Sequence, residues 1–345
     1  MTVFDNRSYD DHEQVVFFQD NKIGLKAIIA VHNTNLGAAV GGCRMWSYAS
    51  DDDALTDVLR LSQGMSYKNA VAGLKMGGGK SVIFADPKAE LNREAIFLAF
   101  GRFVNSLGGK YYSAEDVGVT TKDIMVAQRE TPYVTGLEGK SGDPSPFTAL
   151  GTYLGMKAAV KHQRGTDSLN GLTVAVQGVG HVGYYLCRLL HKEGAHIIAT
   201  DIHSQSLEQV ANEFGAKIVL PQDIYTQSSD IYAPCALGAT INDVTIPLLK
   251  ASIIAGCANN QLAEERHCQQ LKEMGILYAP DYVINAGGII NVSFDNAYNI
   301  NKATTKVEQI YSTLKNIFKL SDDQDTTTAE VANAMARSII HQNKI

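Results

Sequence analysis

The sequence predicts an α/β protein of two domains, on three observations. The chain has 345 residues, and at about 150 residues per domain that length argues for two, each able to bury a core. Residues 136–147, GLEGKSGDPSPF, are rich in Gly, Pro and Ser, the composition of a hinge or interdomain linker. Beyond that segment, short apolar runs alternate with helical stretches, which implies a parallel sheet with helices on both faces.

Composition excludes several classes. Hydrophobic residues make up 45% and charged residues 19% of the chain, which fits a globular protein and not a disordered one. Lys and Arg total 30 against 36 Asp and Glu, a net charge of −6 with no basic run. Neither nucleic acid nor an anionic membrane suits such a partner. Five scattered cysteines, with no CxxC pair, argue against a disulfide framework or a structural zinc site, so no metal is expected. The opening MTVFDNRSYDD lacks the pattern of a secretory signal, and no run of about 18 apolar residues occurs, so a cytoplasmic location is expected.

In the first 135 residues, Leu25–Val31 is apolar nearly throughout and reads as a strand inside a sheet. Ser50 before Asp51, Asp52 and Asp53 reads as an N-cap with acids in the first turn of a helix whose stripe is Leu55, Val58, Leu59 and Met65. A second helix starts near Asn92, buries Ile96, Phe100, Phe103 and Leu107, and stops at Gly108-Gly109. After the linker the strand candidates are Thr173–Gln177, Ile197–Thr200, Lys217–Leu220, Asp230–Tyr232, Ile253–Gly256 and Leu277–Ala279. Two helices, Lys302–Leu320 and Thr328–His341, end the chain.

The first of those strands leads into Gly178-Val179-Gly180-His181-Val182-Gly183 and then a helix. A lone GxGxxG is weak, but strand, glycines and helix together make a dinucleotide fingerprint. Gly178 permits the turn, Gly180 admits a pyrophosphate, Gly183 lets helix and strand pack, and the helix N-terminus attracts phosphate. Asp201 follows Gly183 by 18 residues, near the spacing of about 20 for an acid that accepts ribose hydroxyls. A carboxylate there repels a 2′-phosphate, and no Arg follows, so the cofactor expected is NAD. His181 is expected to face solvent.

Two lysines stand out in the first domain. Lys68 lies at the end of the first helix, and Lys80 follows Gly77-Gly78-Gly79. A P-loop is rejected: its first Gly belongs at position 74, which is Leu74, and a strand pattern (Ser81–Phe84) follows the lysine where a P-loop needs a helix. Glycines before a lysine can instead let a small substrate lie against bare backbone. Two lysines alone are more often solvated, but Met65, Leu74, Met76 and Val82 surround these. In Ser113-Ala114-Glu115-Asp116 two acids close a strand-like run; a simple cap is the other reading.

Taken together, the segments GLKAIIAVHNT, GGCRMWSY, MSYKNAVAGLKMGGGKSVI, SAEDVGVT, GDPSPFTALG, VAVQGVGHVG, DIYAPCALGATIND, IIAGCANNQL and LYAPDYVINAGGIINV resemble the NAD-dependent amino acid dehydrogenases of the glutamate/leucine/phenylalanine/valine group, closest to its leucine-acting branch. The likeness runs along nearly the whole chain. It implies two α/β domains around a cleft: residues 1–135 for substrate and catalysis, 136–320 a Rossmann domain for NAD, and a final helix at about 321–345 packing back on the first. It implies that Lys68 and the amides around Gly41-Gly42 bind the substrate carboxylate, Lys80 is the general base, Asp116 relays protons, and Asn285 hydrogen-bonds substrate. Thr148, Ala236 and Asn260 would position the nicotinamide end of NAD. The reaction implied is reversible oxidative deamination of an L-amino acid to a 2-oxo acid, ammonia and NADH. A lysine in water is a poor base at neutral pH; burial and the neighbouring Lys68 charge are expected to assist it.

The resemblance places Val40, Ala114, Ile289 and Val292 around the substrate side chain. All are aliphatic, which disfavours glutamate, whose carboxylate would be unpaired, and favours leucine, valine or isoleucine. One methylene is worth about 1–3 kcal/mol in such a pocket, too little to rank these three. Residues around Cys43 and Tyr48-Ala49-Ser50 resemble the phenylalanine-acting members, so that specificity is the alternative. A non-catalytic NAD-binding module would be expected to lack Lys68, Lys80 or Asp116. Family members are homo-oligomers, commonly octamers; because this chain ends at Ile345, a homo-oligomer is expected without that size.

Overall fold

Leu25 to Asn33 is the most apolar stretch of the first hundred residues, and six consecutive positions within it are buried. In the computed structural model it is strand β2 of a five-stranded sheet. The structure describes residues 2–137, 142–294 and 298–343. The chain divides into two compact units. Unit 1 comprises residues 1–142, 292–298 and 336–345, and unit 2 comprises residues 143–291 and 299–335.

The sheet of unit 1 consists of β1 (Gln14–Asp20), β2 (Leu25–Asn33), β3 (Ala39–Trp46), β4 (Gly77–Phe84) and β5 (Tyr111–Glu115) in the order β1-β2-β4-β3-β5. β1 and β4 run antiparallel to β2, and β3 runs parallel to both β4 and β5. Helix α1 (Asp51–Val71) covers one face, where Leu55, Val58 and Leu59 meet Ile28, Ala30 and Val82. Ser50 caps it by accepting from the Asp53 amide at 3.1 Å. On the opposite face α2 (Arg93–Ser106) and α3 (Thr121–Gln128) pack Phe97, Phe100, Phe103 and Ile124 onto Ile29, Cys43 and Ile83. Strand side chains alternate between faces, so Lys80, two residues before Val82, points to the α1 side. Arg44 pairs with Val82 and shares that side.

Unit 2 holds six parallel strands in the order β11-β10-β9-β6-β7-β8: β6 (Thr173–Gln177), β7 (His196–Thr200), β8 (Lys217–Ile218), β9 (Ile231–Pro234), β10 (Ile253–Ile254) and β11 (Leu277–Tyr278). The strand order reverses between β6 and β9, so a topological switch point lies beyond their carboxyl ends. Val174, Ala175 and Val176 are fully buried at the sheet centre. The helices are α4 (Ser145–Arg164), α5 (His181–Glu193), α6 (Ser204–Phe214), α7 (Arg266–Glu273), the short α8 (Asp281–Ile284) and α9 (Gly287–Val292), α10 (Ile300–Asp323) and α11 (Thr328–Gln342), the last of which ends among unit 1 residues.

Two expectations change. Residues 136–147 are not all connector: Ser145 and Phe147 are buried in the first turn of α4, with Pro144 at its N-cap; residues 138–141 lie outside the described set. The run Lys217–Leu220 forms only a two-residue strand, exposed because β8 is an edge. Strands β1 and β3 have weak sequence signals. β1 is a half-exposed edge strand, and Gly41-Gly42 interrupts β3 with the residue type most depleted from strands. No described helix is long and apolar enough to cross a membrane.

Candidate active site

Lys80 is buried in β4, and its Nζ lies 3.0 Å from Asp116 Oδ2, just past the end of β5. The same Oδ2 accepts from Arg44 Nε at 3.1 Å. Behind it Arg44 reaches both oxygens of Asp57 on α1, at 3.1 and 3.3 Å, and the Tyr48 hydroxyl donates to Asp57 at 2.7 Å. Burial pushes the Asp116 carboxyl up, but the Lys80 and Arg44 charges outweigh it and hold it below the usual carboxylate range. Strand register produces the cluster: β3 lies between β4 and β5 and carries Arg44 to the face that holds Lys80.

Gly77, Gly78 and Gly79 do not present bare backbone to a ligand: all three are buried. A Cβ on Gly78 would collide with the Ser66 backbone of α1, and one on Gly79 would come within 2.7 Å of the Tyr111 ring. These glycines let α1 and Tyr111 close on β4. Gly42 serves a similar end, since a Cβ there would lie 2.7 Å from the Asp116 Cβ. Tyr111, fully buried, donates to the Gly41 carbonyl at 2.7 Å and lies 3.0 Å from Ser81 Oγ. Lys68 sits in the last turn of α1, two residues beyond Ser66. Val40 is buried in β3 opposite Gly78, and Ala114 is half-buried opposite Gly42.

In unit 2 the fingerprint loop follows β6. Gly178 has φ +100°, and a Cβ there would meet the Ala236 Cβ at 2.6 Å, so this turn and the exposed loop after β9 press together at the switch point. Gly180, the N-cap of α5, faces open space and brings no capping side chain, which leaves the first amides of that helix for an anion. A Cβ on Gly183 would strike the Gly178 carbonyl, the close helix–strand packing expected. Val182 is half-buried beside it, and His181 is exposed as expected. Asp201 accepts from the Val179 amide at 2.7 Å and the His203 amide at 2.9 Å, which fixes its carboxylate at the mouth of the fingerprint.

Asn260, at φ +51°, accepts from the Ala239 amide at 2.7 Å and ties the loop after β10 to the loop after β9. Asn285 is buried and donates to the Cys257 carbonyl (3.1 Å) and Asn259 Oδ1 (2.7 Å), while its own Oδ1 has no partner among the described residues. Thr148 in α4 is close by in the fold: a Cβ on Gly288 would meet Thr148 Oγ1 at 2.7 Å. Ile289 and Val292 are half-buried, three residues apart on α9. The strand register thus gathers Lys80, Asp116, Gly42 and Ala114 in unit 1; the switch point gathers Gly178, Asp201 and Ala236 in unit 2. Sequence reasoning missed Arg44, Asp57, Tyr48 and Tyr111. Arg44 stands two residues after Gly42, so period-2 alternation along β3 was the available signal.

One other group has metal-ligand composition among the described residues: Asp243, Glu264 and His267. Arg266 bonds both carboxylates at 2.6–2.9 Å, and His267 Nδ1 accepts from the Glu264 amide. This is an ion-pair cluster already supplied with its cation.

The family description "Glu/Leu/Phe/Val dehydrogenase, dimerisation domain" matches residues 12–136, and "Glutamate/Leucine/Phenylalanine/Valine dehydrogenase" matches 139–207 and 200–343. The chain is 54% identical to a leucine dehydrogenase of Bacillus subtilis over 346 aligned positions, 99% of this chain and 95% of that one. It is 47% identical to a phenylalanine dehydrogenase of Lysinibacillus sphaericus, over 96% of this chain and 89% of that one. The crystal structure of L-tryptophan dehydrogenase from Nostoc punctiforme superposes with a TM-score of 0.85 at 46% identity, covering 97% of each chain. With both halves of the chain matched and relatives so similar over nearly its whole length, this protein belongs to the Glu/Leu/Phe/Val family of amino acid dehydrogenases.

Proposed function

We propose that this enzyme catalyses NAD-dependent reversible oxidative deamination of a branched-chain L-amino acid (leucine, with valine and isoleucine) to the 2-oxo acid, ammonia and NADH. The observation that carries the reading is the buried Lys80–Asp116 pair at 3.0 Å, in a chain whose other unit bears a complete dinucleotide fingerprint. Unit 1 is the substrate and catalytic part and unit 2 the cofactor part. The end of α11, from residue 336, groups with the former, while residues 321–335, expected to return with it, group with unit 2.

The residues of unit 2 fit a dinucleotide. Gly178 makes the turn at positive φ, Gly180 opens onto free space, and the uncapped start of α5 suits the pyrophosphate. Asp201 selects NAD over NADP, because its fixed carboxylate accepts ribose hydroxyls and repels a phosphate. Thr148, Ala236 and Asn260 position the nicotinamide end. NAD, when bound, accepts the hydride.

Lys68 and the amides around Gly41-Gly42 hold the substrate carboxylate. The Asn285 amide has committed its NH2 group, so it offers a ligand an acceptor, which suits the substrate amine. Once the α-carbon is oxidised to an imine, Lys80 takes a proton from the attacking water and returns one to the departing nitrogen. Asp116 pairs with the Lys80 ammonium whenever that charge is present and passes the proton on. Val40, Ala114, Ile289 and Val292 bring no charge to the side-chain pocket, which fits an aliphatic substrate. The high identity to phenylalanine- and tryptophan-acting relatives keeps an aromatic substrate as the second reading.

The deciding experiment is a panel of L-amino acids with NAD and with NADP, followed by absorbance of the reduced cofactor. Activity with leucine, valine and isoleucine and NAD is expected. Preference for phenylalanine or tryptophan would overturn the pocket reading, and no turnover with any amino acid would overturn the enzyme. A homo-oligomer is part of the proposal, because residues 12–136 match a domain described as a dimerisation domain; light scattering checks it. Five unpaired cysteines accord with the reducing cytoplasm, which cell fractionation checks.

A further inference from the structure

Asp116 Oδ2 is shared by two cations, Lys80 at 3.0 Å and Arg44 at 3.1 Å. Only the first is asked to change its charge during turnover. If Lys80 were the sole partner, its deprotonation would strand a largely buried carboxylate, and breaking a buried pair from one side is costly. Lys80 would then keep its proton and could not act as the base. Arg44 cannot give up its proton. It is held from behind by Asp57 on α1, which it contacts through Nη1, and Asp57 is held in turn by Tyr48.

We infer that Arg44 is a positioning residue: it holds Asp116 in place and compensates its charge while Lys80 cycles between charged and neutral. The inference rests on the roles given above to Lys80 and Asp116. Among the described residues the charged groups paired with Asp116 are Lys80 from β4 and Arg44 from β3, with Asp57 from α1 behind Arg44. The other titratable neighbours, the Cys43 thiol and Tyr111 phenol, are neutral, with burial pushing the thiol up to about 12 and the phenol up as well. The adjacent Glu115 is exposed and accepts from Thr121 Oγ1 at 2.5 Å.

The test is the pH profile of kcat/KM for wild type, R44A, R44Q and R44K, beside D116N. Thermal melts and NAD affinity identify the folded variants. In R44A and R44Q the acid limb is expected to move up by about one pH unit or more, with at least a tenfold loss at pH 7. R44K, which keeps a charge but cannot span Asp116 and Asp57 with a planar fork, is expected to recover part of the shift. Ethylguanidinium added to R44A is expected to restore activity. A folded R44A or R44Q with the wild-type acid limb, beside an inactive D116N, would overturn the inference and leave the catalytic reading intact. If D116N keeps wild-type turnover, the role of Asp116 falls and this inference with it. Should R44A fail to fold, R44Q, nearer in size and still a donor, decides.

Discussion

The Tyr111 hydroxyl donates to the Gly41 carbonyl at 2.7 Å from inside the core of unit 1. It anchors the backbone on which the proposed carboxylate cradle is built. The Tyr111→Phe variant leaves that carbonyl without its donor at a site where water does not reach. A loss of about 1–3 kcal/mol of stability is expected, with KM for the amino acid raised several-fold and kcat changed less. Melting curves and steady-state kinetics check this; an unchanged KM would separate the phenol from substrate binding.

The Lys80→Ala variant loses the proposed base while leaving the fingerprint of unit 2 untouched. Turnover is expected to fall by at least about a thousandfold, within the range of general acid–base contributions, with NAD affinity kept. Fluorescence titration with NADH and single-turnover kinetics give the two readings. Wild-type turnover would remove Lys80 from the mechanism.

Ala114, half-buried on β5 and opposite Gly42, supplies one methyl group to the proposed pocket. Ala114→Gly widens it and is expected to move kcat/KM towards phenylalanine and away from leucine. The change in their ratio is expected to reach ten- to a hundredfold, because one carbon is worth about 1–3 kcal/mol. A ratio unchanged in the variant would place the substrate side chain elsewhere.

His12 links the N-terminal segment to α1: its Nε2 lies 3.1 Å from the Leu59 carbonyl and 3.0 Å from Ser62 Oγ. Burial pushes its imidazole from an ordinary 6.5 down to about 4, and His32 nearby adds to the effect. Between those values the unfolded chain binds a proton that the native state refuses. The stability tied to this residue is therefore full above about pH 6.5 and lost as the pH falls to about 4, up to about 3 kcal/mol. Denaturant melts across that window are expected to flatten in His12→Gln. The same slope in both proteins would assign the acid sensitivity to other groups.

Local energetics made much of this protein legible in its sequence. The helix caps at Ser50 and Asn92, the glycine stop after Leu107, the apolar run of β2 and the strand–fingerprint–helix unit around Gly178 each depend on residues within a few positions of one another. Their side-chain chemistry selects the conformation directly. The pairing of Lys80 with Asp116 and Arg44 had no such local cause. It arises because β3 lies between β4 and β5 in a register that no short stretch encodes, and register is settled by long-range packing of the sheet's two faces. For the same reason the glycines before Lys80 could be counted in advance, while their purpose, the close approach of Ser66 and Tyr111 to β4, depended on which distant elements the tertiary fold set against them.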